Sequence, residues 1–135
     1  MVPVVDLSRR GARFAEAFEE AAGRIARSGA FLLGPELDAF EHELAAWTGA
    51  RHATGVASGA SALQLALAAT GIGRGDDVLV PAFTAVPTAS AVVATGARPV
   101  VVDVDPDTAC VTIDAFAAAA TPATRAAIIV HLYGY

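Results

Sequence analysis

What most constrains this chain is an alternation of short apolar runs with longer stretches of helical period. The cores of "VLVP", "RPVVVDV" and "RAAIIVHLY" are rich in β-branched residues and are apolar at successive positions, not only at alternate ones. A strand apolar on both faces must be covered on both faces, which is the condition inside a parallel sheet flanked by helices. Strands are expected near residues 53–57, 78–81, 99–104 and 127–132, buried on both sides. Because they alternate with helices, the expected class is α/β, with a mostly parallel sheet between helical layers.

The helices carry their own signals. From Ser8 to Ser28, Phe14, Phe18, Ala21, Ala22 and Ile25 recur at helical spacing, while Glu16, Glu19, Glu20 and Arg24 supply the polar side. Ser28-Gly29 ends that segment. After "FLLG", Pro35 suits a first helical position, where its fixed φ fits and its missing N–H costs nothing. The helix it starts is expected to turn Leu37, Phe40, Leu44 and Trp47 inward and to stop at Gly49. "ASALQLALAAT" is a third helix, closed by Gly71. "TAVPTASAVVAT" is a fourth, with Pro87 in its first turn, and "IDAFAAAA" is a short fifth. No repeat, low-complexity linker or internal domain boundary is visible.

Bulk properties narrow the function. The 135 residues are 55% hydrophobic and 17% charged, enough for one globular core. The net charge is −5 and no basic run occurs, which argues against nucleic acid as a partner. A single cysteine, Cys110, allows no internal disulfide. The opening "MVPVVDLSRRGARF" lacks the apolar core of a secretory leader, and no apolar stretch is long enough to span a membrane, so a cytoplasmic protein without membrane contact is expected. All nine basic residues are arginine. Chemistry that needs a lysine amine is not completed by these residues.

Few stretches carry chemical promise. In "GVASGASALQLALAATG", Ser58-Gly59-Ala60-Ser61 joins an expected strand to a helix. Free N–H groups and the helix dipole favour an anion there, and Gly59 lets one approach closely. The plainer alternative is an N-cap serine with no ligand. The stretch is neither a Walker loop nor a dinucleotide fingerprint, since both require other spacings. "GIGRG" at 71–75 follows a helix and precedes a strand, the reverse of a phosphate loop, and is a turn. "DVDPDT" sets Asp103, Asp105 and Asp107 at alternate positions, but Thr108 stands where a calcium loop needs glycine and Asp114 where it needs glutamate. An Asp-Pro turn is the better account. His42, His52 and His131 have no metal-ligand spacing. His131, ending the last strand, is a plausible ligand contact. Cys110 has no histidine near it in sequence and is expected to pack as a small hydrophobe.

Taken together and in order, the segments from "GPELDAFEHELAAWTGARHATGVASGASALQLALAATG" through "VLVPAFTAVPTAS" to "RPVVVDVDPDT" and "HLYG" resemble the DegT/DnrJ/EryC1/StrS aminotransferases. The resemblance runs from about Phe31 to the end. It implies the N-terminal part of the large domain of a fold-type-I, pyridoxal-phosphate-dependent transferase, with residues 1–34 as a helical segment and 35–135 as part of the cofactor domain. It implies transfer of an amino group from an amino acid to a nucleotide-linked keto-sugar, pyridoxal 5'-phosphate as cofactor, and a homodimer. By the same resemblance, the turn at Gly59, Ala60 and Ser61 would hold the cofactor phosphate, with alanine at 60 where threonine is usual. In "PAFTAV", the family stacks an aromatic ring on the cofactor just after the threonine. Here Ala85 occupies that place and Phe83 lies beside it, so both are assigned to the cofactor. The family's aspartate that pairs with the pyridine nitrogen and its Schiff-base lysine come after "HLYG". The chain by itself is therefore expected to be inactive, to lack catalytic residues of its own, and to associate through an exposed sheet edge. Two alternatives stay open: a non-catalytic relative that only pairs with a partner, and a pyridoxal-dependent dehydratase or aldolase relative.

Overall fold

The computed structural model describes residues 5–134; Met1–Val4, the start of the stretch weighed as a leader, and Tyr135 lie outside them. By contacts the chain divides into two compact units, Met1–Gly55 and Val56–Tyr135.

The first unit holds two helices, α1 (Ser8–Ser28) and α2 (Pro35–Thr48). Both end where the sequence places a glycine: Gly29 and Gly49 adopt φ of 71° and 72°, left-handed values that glycine tolerates without a Cβ clash. The Gly29 N–H donates to the Ile25 carbonyl, and the Gly49 N–H to that of Ala46. Pro35 opens α2, as expected. The inward turn expected of α2 is found only in part: Leu37 and Leu44 are half-buried, but Phe40 and Trp47 are not. Phe40 is 52% and Trp47 84% exposed, and neither helix contains a buried residue. Helical period identifies an apolar face; it does not supply the surface that covers it.

The second unit is built on β1 (Asp77–Pro81), which pairs in parallel with β2 (Arg98–Val102) on one side and β3 (Thr124–Ala127) on the other. The order is β2-β1-β3. Asp77 stands opposite Arg98 and Thr124, and the β1–β3 register then shifts, so that Val78 faces Ala126. Helices α3 (Gly59–Ala69), α4 (Val86–Ala94) and α5 (Ile113–Ala119) make the connections. Val78 and Val80, two residues apart and hence on one face of β1, join Leu67 of α3, Val92 of α4, Ala97 and Ile128 in the core. On α4, Thr88, Ala91 and Val92 are buried, the i, i+3, i+4 pattern of a helix on a sheet.

Three expectations need correction. Residues 53–57 form no strand, because their backbone finds no neighbouring strand to pair with among the described residues. The last strand lies at 124–127 and not at 127–132; beyond it, the Ile128 N–H still donates to the Leu79 carbonyl at 2.9 Å. Burial on both faces holds for β1, whose residues are all buried, but not for β2 or β3, which stand at the edges with alternate or partial exposure.

Candidate functional site

The start of α3 is a built turn. Ser58 is extended (φ −163°, ψ 163°), and its hydroxyl oxygen accepts from the Ser61 N–H at 3.1 Å. The Ser58 and Ser61 hydroxyls lie 3.0 Å apart. The N–H groups of Gly59 and Ala60 belong to the first turn, where no carbonyl of the helix itself can accept them. A Cβ placed on Gly59 would meet no heavy atom within 4 Å, so the turn opens onto free space. One of the donors first assigned to an anion, the Ser61 N–H, is thus engaged by the cap. Two hydroxyls and two first-turn amides remain beside it.

The connections fix which end of the sheet this turn occupies. Residues 70–76 lead from α3 into β1, and Leu67 near the end of α3 clusters with Val78 early in β1 and Ala97 just before β2, so α3 ends toward the amino end of the strands. The start of α3 and the end of β1 therefore share one end, the carboxyl end of the parallel strands, where ligands of open α/β sheets bind. Four residues later α4 starts from the same end and packs against α3. Phe83, half exposed, and Ala85, the exposed residue preceding α4, sit on this link. Gly59, Ala60, Ser61, Phe83 and Ala85 are thus gathered at one end of this unit. Between Phe83 and Ala85, the Thr84 hydroxyl lies 2.8 Å from that of Thr88, whose residue is only 5% exposed. That pair carried no signal in the sequence.

A second concavity, of about 310 Å³, lies past β3, lined by Thr108, Cys110, Val111, Phe116, Ile129, Val130 and His131. Cys110 is part-buried, and its Sγ donates weakly to the Val130 carbonyl at 3.8 Å. The sequence set no histidine near Cys110; the crossover from β2 to β3 brings His131 to the same cavity. The Asp-Pro turn is as expected. The Asp105 carboxylate accepts from the Thr108 and Asp107 N–H groups, each at 2.9 Å, and these bonds hold its pKa below the usual aspartate range.

At the far end of the sheet, the Arg98 guanidinium clamps the Asp77 carboxylate with two bonds, of 2.7 and 2.6 Å. The clamp holds the Asp77 carboxyl below the usual range, and the Thr121 hydroxyl adds to the effect. The Asp77 side chain is 4% exposed and that of Arg98 71%. This pair ties β1 to β2 and stands away from the helix starts.

Known proteins resemble this chain along nearly its whole length. The sequence pattern of the DegT/DnrJ/EryC1/StrS aminotransferase family matches residues 13–135. A UDP-N-acetyl-3-dehydro-alpha-D-glucosamine 3-aminotransferase from Acidithiobacillus ferrooxidans is 46% identical over 133 residues, 98% of this chain and 36% of that protein. Among solved structures, S. venezuelae DesV in complex with a ketimine intermediate superposes with a TM-score of 0.92 at 46% identity, over 99% of this chain and 36% of that one. NtdA from Bacillus subtilis, with bound cofactor PMP, gives a TM-score of 0.90 at 34% identity, over 98% of this chain and 31% of that one. The chain spans about a third of the length of the relatives it matches.

Proposed function

We propose, from the premise that this chain belongs to the DegT/DnrJ/EryC1/StrS aminotransferase family, that it is the N-terminal part of a pyridoxal-phosphate-dependent aminotransferase. The whole enzyme moves an amino group from an amino acid to a nucleotide-linked keto-sugar. The observation that carries this reading is the open turn at the start of α3, set at the carboxyl end of a parallel sheet. Its donor set fits a phosphate: first-turn amides at Gly59 and Ala60, the Ser58 and Ser61 hydroxyls 3.0 Å apart, and no side chain filling the space beside Gly59.

On this reading Gly59, Ala60 and Ser61 hold the phosphate of pyridoxal 5'-phosphate. Phe83 and Ala85 flank its ring, with Phe83 offering the aromatic surface. When bound, the cofactor supplies the electron sink that transamination requires. These residues bind and orient. The amine that moves protons during transfer comes from outside this chain, whose basic residues are all arginine. The 135 residues are accordingly one partial large domain, with 1–34 as a helical segment and 35–135 as the cofactor part. They are inactive alone, and the whole enzyme is a cytoplasmic homodimer.

The test uses the full-length protein. Titration with pyridoxal phosphate should change its absorbance at saturable stoichiometry. Incubation with a nucleotide-linked 3-keto-sugar and glutamate or glutamine should give the amino-sugar by mass spectrometry. Failure to take up cofactor overturns the reading; uptake without amination favours a dehydratase or non-catalytic relative. Turnover by the 135-residue chain alone would overturn its inactivity.

A further inference from the structure

Threonines at the ends of α2, α3 and α4 bond backward to main-chain carbonyls. The Thr48 hydroxyl donates to Leu44 at 2.8 Å, Thr70 to Leu67 at 2.8 Å and Thr95 to Val92 at 2.8 Å. Thr88 differs. Its hydroxyl, in a residue 5% exposed, meets a side chain, the Thr84 Oγ1 at 2.8 Å. Among the described residues this is the one hydrogen bond found for the Thr88 hydroxyl. A buried hydroxyl does not leave its proton unshared, so Thr88 is the donor and Thr84 the acceptor. The proton of Thr84 is then free to point away from the core. Thr84 stands between half-exposed Phe83 and exposed Ala85, on the link that starts α4. α3 packs against α4, and Leu67 near the end of α3 shares a core cluster with Val92 near the end of α4 and Ala97 just before β2. The two helices therefore run the same way, and Thr84, just before α4, lies toward the end at which Ser58 starts α3.

We propose that Thr84 is a further cofactor-binding residue, its hydroxyl donating to the phosphate of pyridoxal phosphate, and that Thr88 is the positioning residue that fixes that hydroxyl's direction. This rests on the cofactor reading above and adds two residues to it. Neither threonine moves a proton in the reaction; together they sharpen the phosphate cradle.

The experiment is equilibrium titration of the full-length protein and its variants with pyridoxal phosphate and, separately, with pyridoxal, which lacks the phosphate. Thr88→Val keeps the shape and deletes the donor. It should weaken pyridoxal phosphate binding about three- to tenfold, the range of one neutral hydrogen bond. Thr88→Ser should restore binding to within about twofold, a rescue that a loss of packing would not show. Thr84→Val should weaken pyridoxal phosphate binding at least as much as Thr88→Val and leave pyridoxal binding unchanged. The double variant should be no weaker than Thr84→Val alone, because both changes remove one bond. Wild-type affinity in Thr88→Val, additive losses in the double variant, or equal losses for pyridoxal would each overturn the proposal. A wild-type protein that takes up no pyridoxal phosphate would instead overturn the cofactor reading, and this proposal with it.

Discussion

The two units differ in what they bury. In the first, α1 and α2 are well-formed helices without one buried residue, and Phe14 and Phe18 on α1 are 51% and 75% exposed. In the second, every residue of β1 is buried, and Val78, Val80 and Val92 lose essentially all contact with solvent. Local codes suffice to make a helix: an apolar period, a proline at the start, a glycine at the end. They do not make a core. A strand has the reverse economy, since β1 exists only because β2 and β3 pair with it and α3 and α4 cover a face. Stability should therefore be concentrated in residues 56–134, and substitutions should reveal the asymmetry.

The largest effect is expected at the centre of the sheet. Leu79 is 3% exposed. Leu79→Ala should destabilise by about 2–5 kcal/mol, the transfer loss plus the cavity left behind. Urea unfolding followed by far-ultraviolet circular dichroism measures this directly. A loss under about 1 kcal/mol would mean that β1 is not the structural centre.

A smaller effect is expected from the Asp77–Arg98 clamp, and it should depend on pH. The Asp77 carboxyl is held below the usual range, chiefly by its hydrogen bonds from Arg98. A carboxylate with a depressed pKa contributes stability above its ordinary value and loses it as pH falls through the folded value. Wild-type Tm should therefore drop as pH is lowered through and below the usual aspartate range. Asp77→Asn should have a lower Tm at neutral pH and a shallower acid dependence. The exposed Arg24–Glu36 pair of the first unit, with side chains 53% and 42% exposed, provides the contrast. Glu36→Gln should change the acid profile much less, because solvent screens that pair. Equal slopes for the two variants would erase the difference between the units.

The sequence reveals those features whose cause is local. The bounds of α1, the start of α2 at Pro35 and the capping role of Ser58 follow from neighbours within a few residues. Strand limits were less legible because pairing is non-local. Residues 53–57 have strand-like composition and no partner, while the pairing of β3 falls at Thr124–Ala127, one turn of chain before its most apolar run. Exposure was misjudged for the same reason: Phe40 and Trp47 lie at positions of an apolar face, and nothing in their own segment supplies a cover. The candidate site divides likewise. The turn at residues 58–61 is a local motif. The Thr84–Thr88 bond is a matter of rotamer and burial, and the shared cavity of Cys110 and His131 arises only from the crossover between strands.

Ser58→Ala tests a local device inside the well-packed unit. It removes the acceptor of the Ser61 N–H and should cost about 1 kcal/mol. Ser58→Asp or Ser58→Asn should recover most of that loss, since both cap well. If Ser58→Ala leaves the unfolding midpoint unchanged, the start of α3 frays in solution, and the anion cradle assigned to it is not preformed.

Phe18→Ala is the smallest expected change and the most direct check on the contrast. At 75% exposure the ring removes little apolar surface from water, so the change should lie within about 0.5 kcal/mol of zero. The measurement should be made at two protein concentrations. A loss of about 2 kcal/mol or more, growing as the protein is concentrated, would mean that the apolar stripe of α1 is covered in solution by another copy of the chain. The unit without a core would then owe its packing to association, and the asymmetry seen within one chain would not describe the protein at working concentration. A null result at both concentrations would leave the stripe of α1 exposed, with no apolar cover from another copy.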